Sequence, residues 1–188
     1  VVVNRNYTLP NFADKKTLVI ASSYSGNTEE TLSCFEQALK LGTQIVTVSS
    51  GGKVEEIANR NSIPHIKIKS GFQPRYALGL SFFTLLKIFQ ELKFIKNQDE
   101  NAFAIINLWK KRSAEYSQQK NSAMEIAKKL IGFIPVIYSS EILATAGYRF
   151  KCQLNENSKV HAFQHIIPEM NHNEIIGWET QKEKQFNT

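Results

Sequence analysis

The chain has 188 residues, 42% of them apolar and 21% charged, with two cysteines and a formal net charge of +6. That is ample chain for a buried core in one large or two small domains. The longest apolar stretch, Ala77 to Leu86, is broken by Gly79, Ser81 and Thr84 and is too short to span a membrane. Cys34 and Cys152 make no disulfide framework, which points to a reducing cytoplasm. The basic residues fall in short scattered runs, Lys15-Lys16, Lys110-Lys111-Arg112 and Lys128-Lys129, without a nucleic-acid-binding motif. They read as solvated faces whose modest positive potential steers anionic metabolites.

Val1-Val-Val, followed at once by Asn4 and Arg5, reads as a strand met part-way along rather than as a signal peptide. A loop through Lys16 leads to a buried strand at Leu18 to Ser22. That strand breaks into Ser23-Tyr-Ser-Gly-Asn-Thr28, and a helix follows with Leu32, Phe35, Ala38 and Leu39 on one face. Asn27 and Thr28 are good N-cap residues, and Asn27 with Glu30 has capping-box spacing. A hydroxyl-rich turn feeding a helix N-terminus is an anion site in its simplest form. Ser23, Ser25 and Thr28 supply small neutral donors, and Gly26 lets backbone approach a ligand. No lysine follows the glycine, so the turn suits a phosphate monoester better than a nucleoside triphosphate with magnesium. The alternative is a well-capped helix with serines in an ordinary turn.

Gly42 ends this helix. A second buried strand follows at Gln44 to Ser49, then a Gly51-Gly52 turn, a short helix with Val54, Ile57 and Ala58, and an edge strand within Ile63 to Lys69. This alternation predicts a parallel α/β sheet flanked by helices. Pro74 opens a strong helix through Phe89. Another runs from Asp99 to Ser117 and ends in a polar stretch, Ser117 to Ser122. The pattern then restarts: a helix at Ala123 to Ile131, a strand at Gly132 to Ser140 and a helix at Glu141 to Lys151. Val136-Ile-Tyr-Ser-Ser140 echoes Val19-Ile-Ala-Ser-Ser23, a degenerate internal repeat. The expected organisation is a first domain at 1–98, a connecting helix and linker at 99–122, and a second domain at 123–188.

In Pro168-Glu-Met-Asn-His-Asn-Glu174, a carboxylate stands beside Ile175, Ile176 and Trp178. Partial desolvation moves a carboxylate toward the range useful to a general base. The alternative is a helix start with an asparagine cap. Trp178 and Phe163 read as core. His161, His165 and Glu169 have metal-ligand spacing only if helical, and Pro168 interrupts them. No metal or other cofactor is expected. Arg75, at a helix start, can reach over the C-terminal edges of the strands, where α/β folds bind ligands. The alternative is an exposed arginine, though a cation there opposes the helix dipole.

Three motifs, Ser23-Tyr-Ser-Gly-Asn-Thr-Glu-Glu-Thr31, Gln73-Pro-Arg-Tyr-Ala-Leu-Gly79 and Pro168-Glu-Met-Asn-His-Asn-Glu-Ile175, occur in that order. Together they resemble the sugar isomerase (SIS) domain family, and within it the bifunctional phosphoglucose/phosphomannose isomerases. The resemblance implies an α/β fold of two SIS-type, flavodoxin-like or Rossmann-like units, assembled as a homodimer with shared active sites. It implies an aldose–ketose isomerase that interconverts glucose 6-phosphate or mannose 6-phosphate with fructose 6-phosphate through an enediolate. Ser23, Ser25 and Thr28 match the residues that hold the substrate phosphate, Arg75 the cation beside the enediolate, and Glu174 the proton-transferring base. The family's first strand and turn would precede Val1, and its ring-opening histidine lies beyond Glu174, where this chain has none. His172 is the available substitute, and the chain reads as an internal piece of a longer enzyme. A non-catalytic sugar-phosphate sensor needs the cradle but not Glu174. The isomerase half of an amidotransferase is a third reading, disfavoured within this stretch of chain only, which carries no glutaminase domain.

Overall fold

The computed structural model describes residues 1–179, so the last nine positions of the expected second domain lie outside the described residues. The chain divides into two compact units, Val1–Ile105 and Ile106–Thr188.

In the first unit, β1 (Leu18–Ser22), α1 (Glu29–Leu41), β2 (Gln44–Ser49), α2 (Gly52–Arg60) and β3 (His65–Lys67) alternate in sequence. The strands form a parallel sheet in the order β1-β2-β3, with Val19 opposite Ile45 and Val48 opposite Ile66. Successive side chains of a strand point to opposite faces, and the two faces are covered by different helices. Ala21 and Ile45 pack with Phe35 and Ala38 of α1 and Val54 and Ala58 of α2. On the other face, Ile20, Val46 and Val48 pack with Ile68 and with Leu80, Leu85 and Ile88 of α3 (Leu78–Glu91). A strand clad on both sides must be apolar at nearly every position, which is why Leu18 to Ala21 is one unbroken run.

The helix expected to open at Pro74 does so in two pieces. Pro74–Tyr76 is a 3-10 turn, and α3 begins only at Leu78. Ala77, at φ −87° and ψ 9°, separates them and is buried against the unit. A tighter turn at this end redirects the chain before the regular helix starts.

The division between the units falls within α4 (Asp99–Tyr116). In the second unit, α5 (Ser122–Leu130) is capped by Asn121, whose Oδ1 accepts the Met124 N–H at 2.9 Å. Then come β4 (Val136–Ser139), α6 (Ala144–Gln153) and β5 (Phe163–Ile166). β4 is shorter than the Gly132 to Ser140 run because Pro135, which has no N–H to give a ladder, precedes it. Glu141–Leu143 forms a 3-10 turn ahead of α6. β4 and β5 pair in parallel, Tyr138 directly opposite His165. Gly147 brings α6 close enough to β4 that a Cβ there would stand 2.8 Å from Ser139 Oγ.

After β5 the chain winds through Ile167–Glu169, Met170–Glu174 and Ile175–Glu179, and the middle segment is π-wound. Asn171 to Glu174 is therefore the inside of a helical run, not a capped start. Phe163 and Trp178, read as core, are both exposed, because the described residues of this unit supply two strands and little to cover them. No helix among the described residues is long and apolar enough to cross a membrane.

Candidate functional site

The turn between β1 and α1 is tied by its own side chains. Ser23 extends the ladder one step past β1 by donating its N–H to Val48 O at 3.0 Å, and it is buried. Its Oγ accepts the Gly26 N–H at 3.1 Å and lies 2.8 Å from Thr28 Oγ1. Ser25 Oγ accepts the Asn27 N–H at 3.2 Å. Ser25 and Thr28 are exposed. Thr28 is the N-cap residue of α1, yet its side chain makes no cap bond to the helix; the hydroxyl is turned to Ser23 instead.

Asn27 does not close a capping box with Glu30. Its Oδ1 accepts the Lys53 N–H at 3.1 Å, and Gly26 O accepts the Val54 N–H at 3.0 Å. The first turn of α2 is thus capped by the α1 loop, while the first turn of α1 lacks a side-chain cap. An anion at α1 would meet uncapped N–H groups, the exposed hydroxyls of Ser25 and Thr28, and the positive end of the helix dipole. The two loops interlock at their glycines. A Cβ on Gly26, which has φ +71°, would stand 1.8 Å from Gly51 O.

Tyr24 links this loop to Arg75. Its ring packs in the Val48, Ile68, Ile88 cluster. Its hydroxyl donates to Lys69 O at 3.2 Å and accepts the Phe72 N–H at 2.9 Å. Its carbonyl accepts the Ser50 N–H at 2.9 Å and the Ser50 hydroxyl at 2.6 Å. One residue therefore joins the segments that leave β1, β2 and β3 at the C-terminal edge of the sheet. Arg75 follows that segment by three positions, partly buried. Its Nη1 donates to Gln73 Oε1 at 3.0 Å, and its guanidinium lies 5.1 Å over the Tyr76 ring. Tyr24→Phe keeps the packing and removes the hydroxyl, so it is expected to cost about 1 kcal/mol and to speed hydrogen exchange at the Phe72 amide. Unchanged protection at Phe72 would show that something else holds this segment.

In the second unit Glu174 closes the π-wound turn, and its side chain is 25% exposed. Tyr138 donates its hydroxyl to Glu174 Oε1 at 2.5 Å, and His165 Nδ1 lies 3.3 Å from Oε2. Trp178 Nε1 donates to the Tyr138 oxygen at 2.8 Å. Burial pushes the Tyr138 phenol above its ordinary pKa and the bond to Glu174 pushes the same way, while the Trp178 bond opposes them. The phenol therefore stays protonated, and a donor, through the neutral range. His172, two positions from Glu174, is exposed; the imidazole that meets the carboxylate is His165.

Glu169 accepts an Asn173 side-chain bond at 2.7 Å, and His165 lies on β5 rather than on a helix, so His161, His165 and Glu169 do not form the helical trio their spacing allows. Among the described residues no group of three or more His, Cys, Asp or Glu is placed to hold a metal ion. Ser23, Ser25, Thr28 and Arg75 thus lie in the first unit, with Glu174 and His172 in the second.

Sequence reasoning missed Tyr24 and Tyr138, and it weighed His165 only as a metal ligand, not as the neighbour of Glu174. The available signal was weak: a tyrosine in an apolar stretch has a hydroxyl that needs a partner, but spacing does not say which.

Residues 119–188 match the family described as bacterial phospho-glucose isomerase C-terminal SIS domain. The bifunctional phosphoglucose/phosphomannose isomerase of Caldicellulosiruptor bescii is 43% identical over 97% of this chain and 55% of its own length. A D-glucosamine-6-phosphate 4-epimerase of Sulfolobus acidocaldarius is 35% identical over 92% of this chain and 55% of its own length. Among solved structures, a proposed phosphosugar isomerase of Clostridium difficile 630 matches with a TM-score of 0.66 at 18% identity, over 88% of this chain and 50% of that one. At that identity the likeness speaks for the fold alone. Residues 119–188 of the chain belong to the SIS-domain family. The chain spans about half the length of the curated relatives it matches.

Proposed function

We propose that this chain is part of an aldose–ketose isomerase that interconverts glucose 6-phosphate and/or mannose 6-phosphate with fructose 6-phosphate through an enediolate. The reading takes the chain as parts of two SIS domains, 1–98 and 123–188 joined by 99–122, working in a homodimer. Its main support is the Glu174 carboxylate, held through both oxygens yet one quarter exposed. A sensor has no need of a carboxylate so oriented. The isomerase names of the relatives support the substrate class.

In this mechanism Ser23, Ser25, Thr28 and the first turn of α1 bind the phosphate, so binding energy at a remote group fixes the reacting carbons. Glu174 takes the proton from C2 and returns it to C1. Arg75 supplies the guanidinium that stabilises the enediolate oxygen. Ring opening is a separate proton transfer, and we assign it to His172, since His165 is engaged with Glu174.

Ser25→Ala/Thr28→Ala tests the cradle. Loss of two hydrogen bonds to a charged group is expected to weaken fructose 6-phosphate binding by about 100-fold or more, measured by calorimetry on the intact protein. Unchanged affinity would remove these residues from the phosphate site. The epimerase relative supports a second reading, in which the sugar phosphate is epimerised rather than isomerised; product analysis with glucosamine 6-phosphate separates the two.

A further inference from the structure

We infer that Tyr138 is a positioning residue for the Glu174 carboxylate and that Trp178 sets the direction of its hydrogen bond. The inference rests on the reading of Glu174 as the base. An indole N–H only donates, so the 2.8 Å bond from Trp178 Nε1 makes the Tyr138 oxygen an acceptor. The phenol proton is left for Glu174 Oε1 at 2.5 Å, a separation typical of a hydroxyl donating to a carboxylate. The order of donation is therefore fixed: Trp178 to Tyr138 to Glu174.

The fold builds this arrangement from two local registers. Tyr138 and His165 are direct partners in the β4–β5 ladder, so they share a face, and their rings stand 6.3 Å apart. The carboxylate bridges that pair, one oxygen to each residue. Glu174 and Trp178, four apart on the helical run, reach the same phenol oxygen from one side. A carboxylate pinned this way cannot rotate about its terminal bonds. That matters for a base that must serve two adjacent carbons in turn, where small misplacement is costly in rate.

Kinetics of Tyr138→Phe, Trp178→Phe, the double variant and Glu174→Gln in the intact protein test the inference. Tyr138→Phe is expected to lower kcat about 10- to 30-fold with KM within about threefold. Trp178→Phe should lower kcat less, and the double variant should be no worse than Tyr138→Phe, because Trp178 acts through the phenol. The Trp178 indole N–H resonance should also shift in Tyr138→Phe.

Wild-type kcat in Tyr138→Phe beside an inactive Glu174→Gln would overturn the positioning role and leave the base in place. Multiplicative losses in the double variant, or a loss carried by KM, would also overturn it. An active Glu174→Gln would instead remove the base reading itself. Should Tyr138→Phe fail to fold, Trp178→Phe carries the test: a kcat fall at constant KM supports the inference, and an unchanged kcat overturns it.

Discussion

Glu174→Gln in the intact protein is expected to lower kcat for isomerisation by about 10³-fold, with KM for the sugar phosphate within about threefold. The amide is nearly isosteric and can still accept from Tyr138, so the fold of the second unit should persist. What it loses is the ability to accept a proton from carbon. On the proposed reading the phosphate contacts are Ser23, Ser25 and Thr28 of the first unit, so ground-state binding should survive. Steady-state rates at saturating glucose 6-phosphate check this. A variant within tenfold of wild type would mean that another group moves the proton.

Gly26→Ala is expected to be the most damaging single change in the first unit. The position has φ +71°, in the left-handed region where a side chain is strained, and the new Cβ would stand 1.8 Å from Gly51 O. The obstacle is backbone, so no rotamer relieves it; the β1–α1 and β2–α2 loops must separate. We expect a loss of about 3 kcal/mol or more, a fall in midpoint on the order of 10–20 °C for a unit of this size.

Gly42→Ala is the control. Gly42 has the same φ of +71° but nothing within 4 Å of its Cβ position, so only the backbone penalty of about 1 kcal/mol applies. Thermal unfolding of the two variants separates steric from conformational cost. Equal midpoints would show that the loops do not interlock.

What the sequence made legible was local. The apolar run at Leu18 to Ala21, the break at Gly26 and the helical spacing after it place β1, the turn and α1, because each signal lies within a few residues of its cause. The capping box failed for the opposite reason. Asn27 has the right spacing to Glu30, but the Lys53 N–H, 26 positions away, takes its oxygen. The tyrosines were unreadable on the same grounds: Tyr24 meets Lys69 and Phe72, and Tyr138 meets Glu174 across 36 positions.

Glu174 stood out as a carboxylate among amides beside Ile and Trp. The sequence did not reveal that its turn is π-wound, or that the imidazole beside it is His165 rather than His172. Trp178 reads as core from the sequence because a tryptophan beside isoleucines usually is. Here its indole N–H has a specific partner, and the ring stays exposed.

The most direct test of the central claim follows hydrogen at carbon. The intact protein and its Glu174→Gln variant are incubated with fructose 6-phosphate in D₂O, and deuterium at C1 of the sugar is read by NMR. A single carboxylate that shuttles the proton and exchanges part of it with solvent predicts steady wash-in with the wild type and none above background with the variant. Isomerisation by the wild type without any wash-in, or undiminished wash-in by Glu174→Gln, would contradict the account.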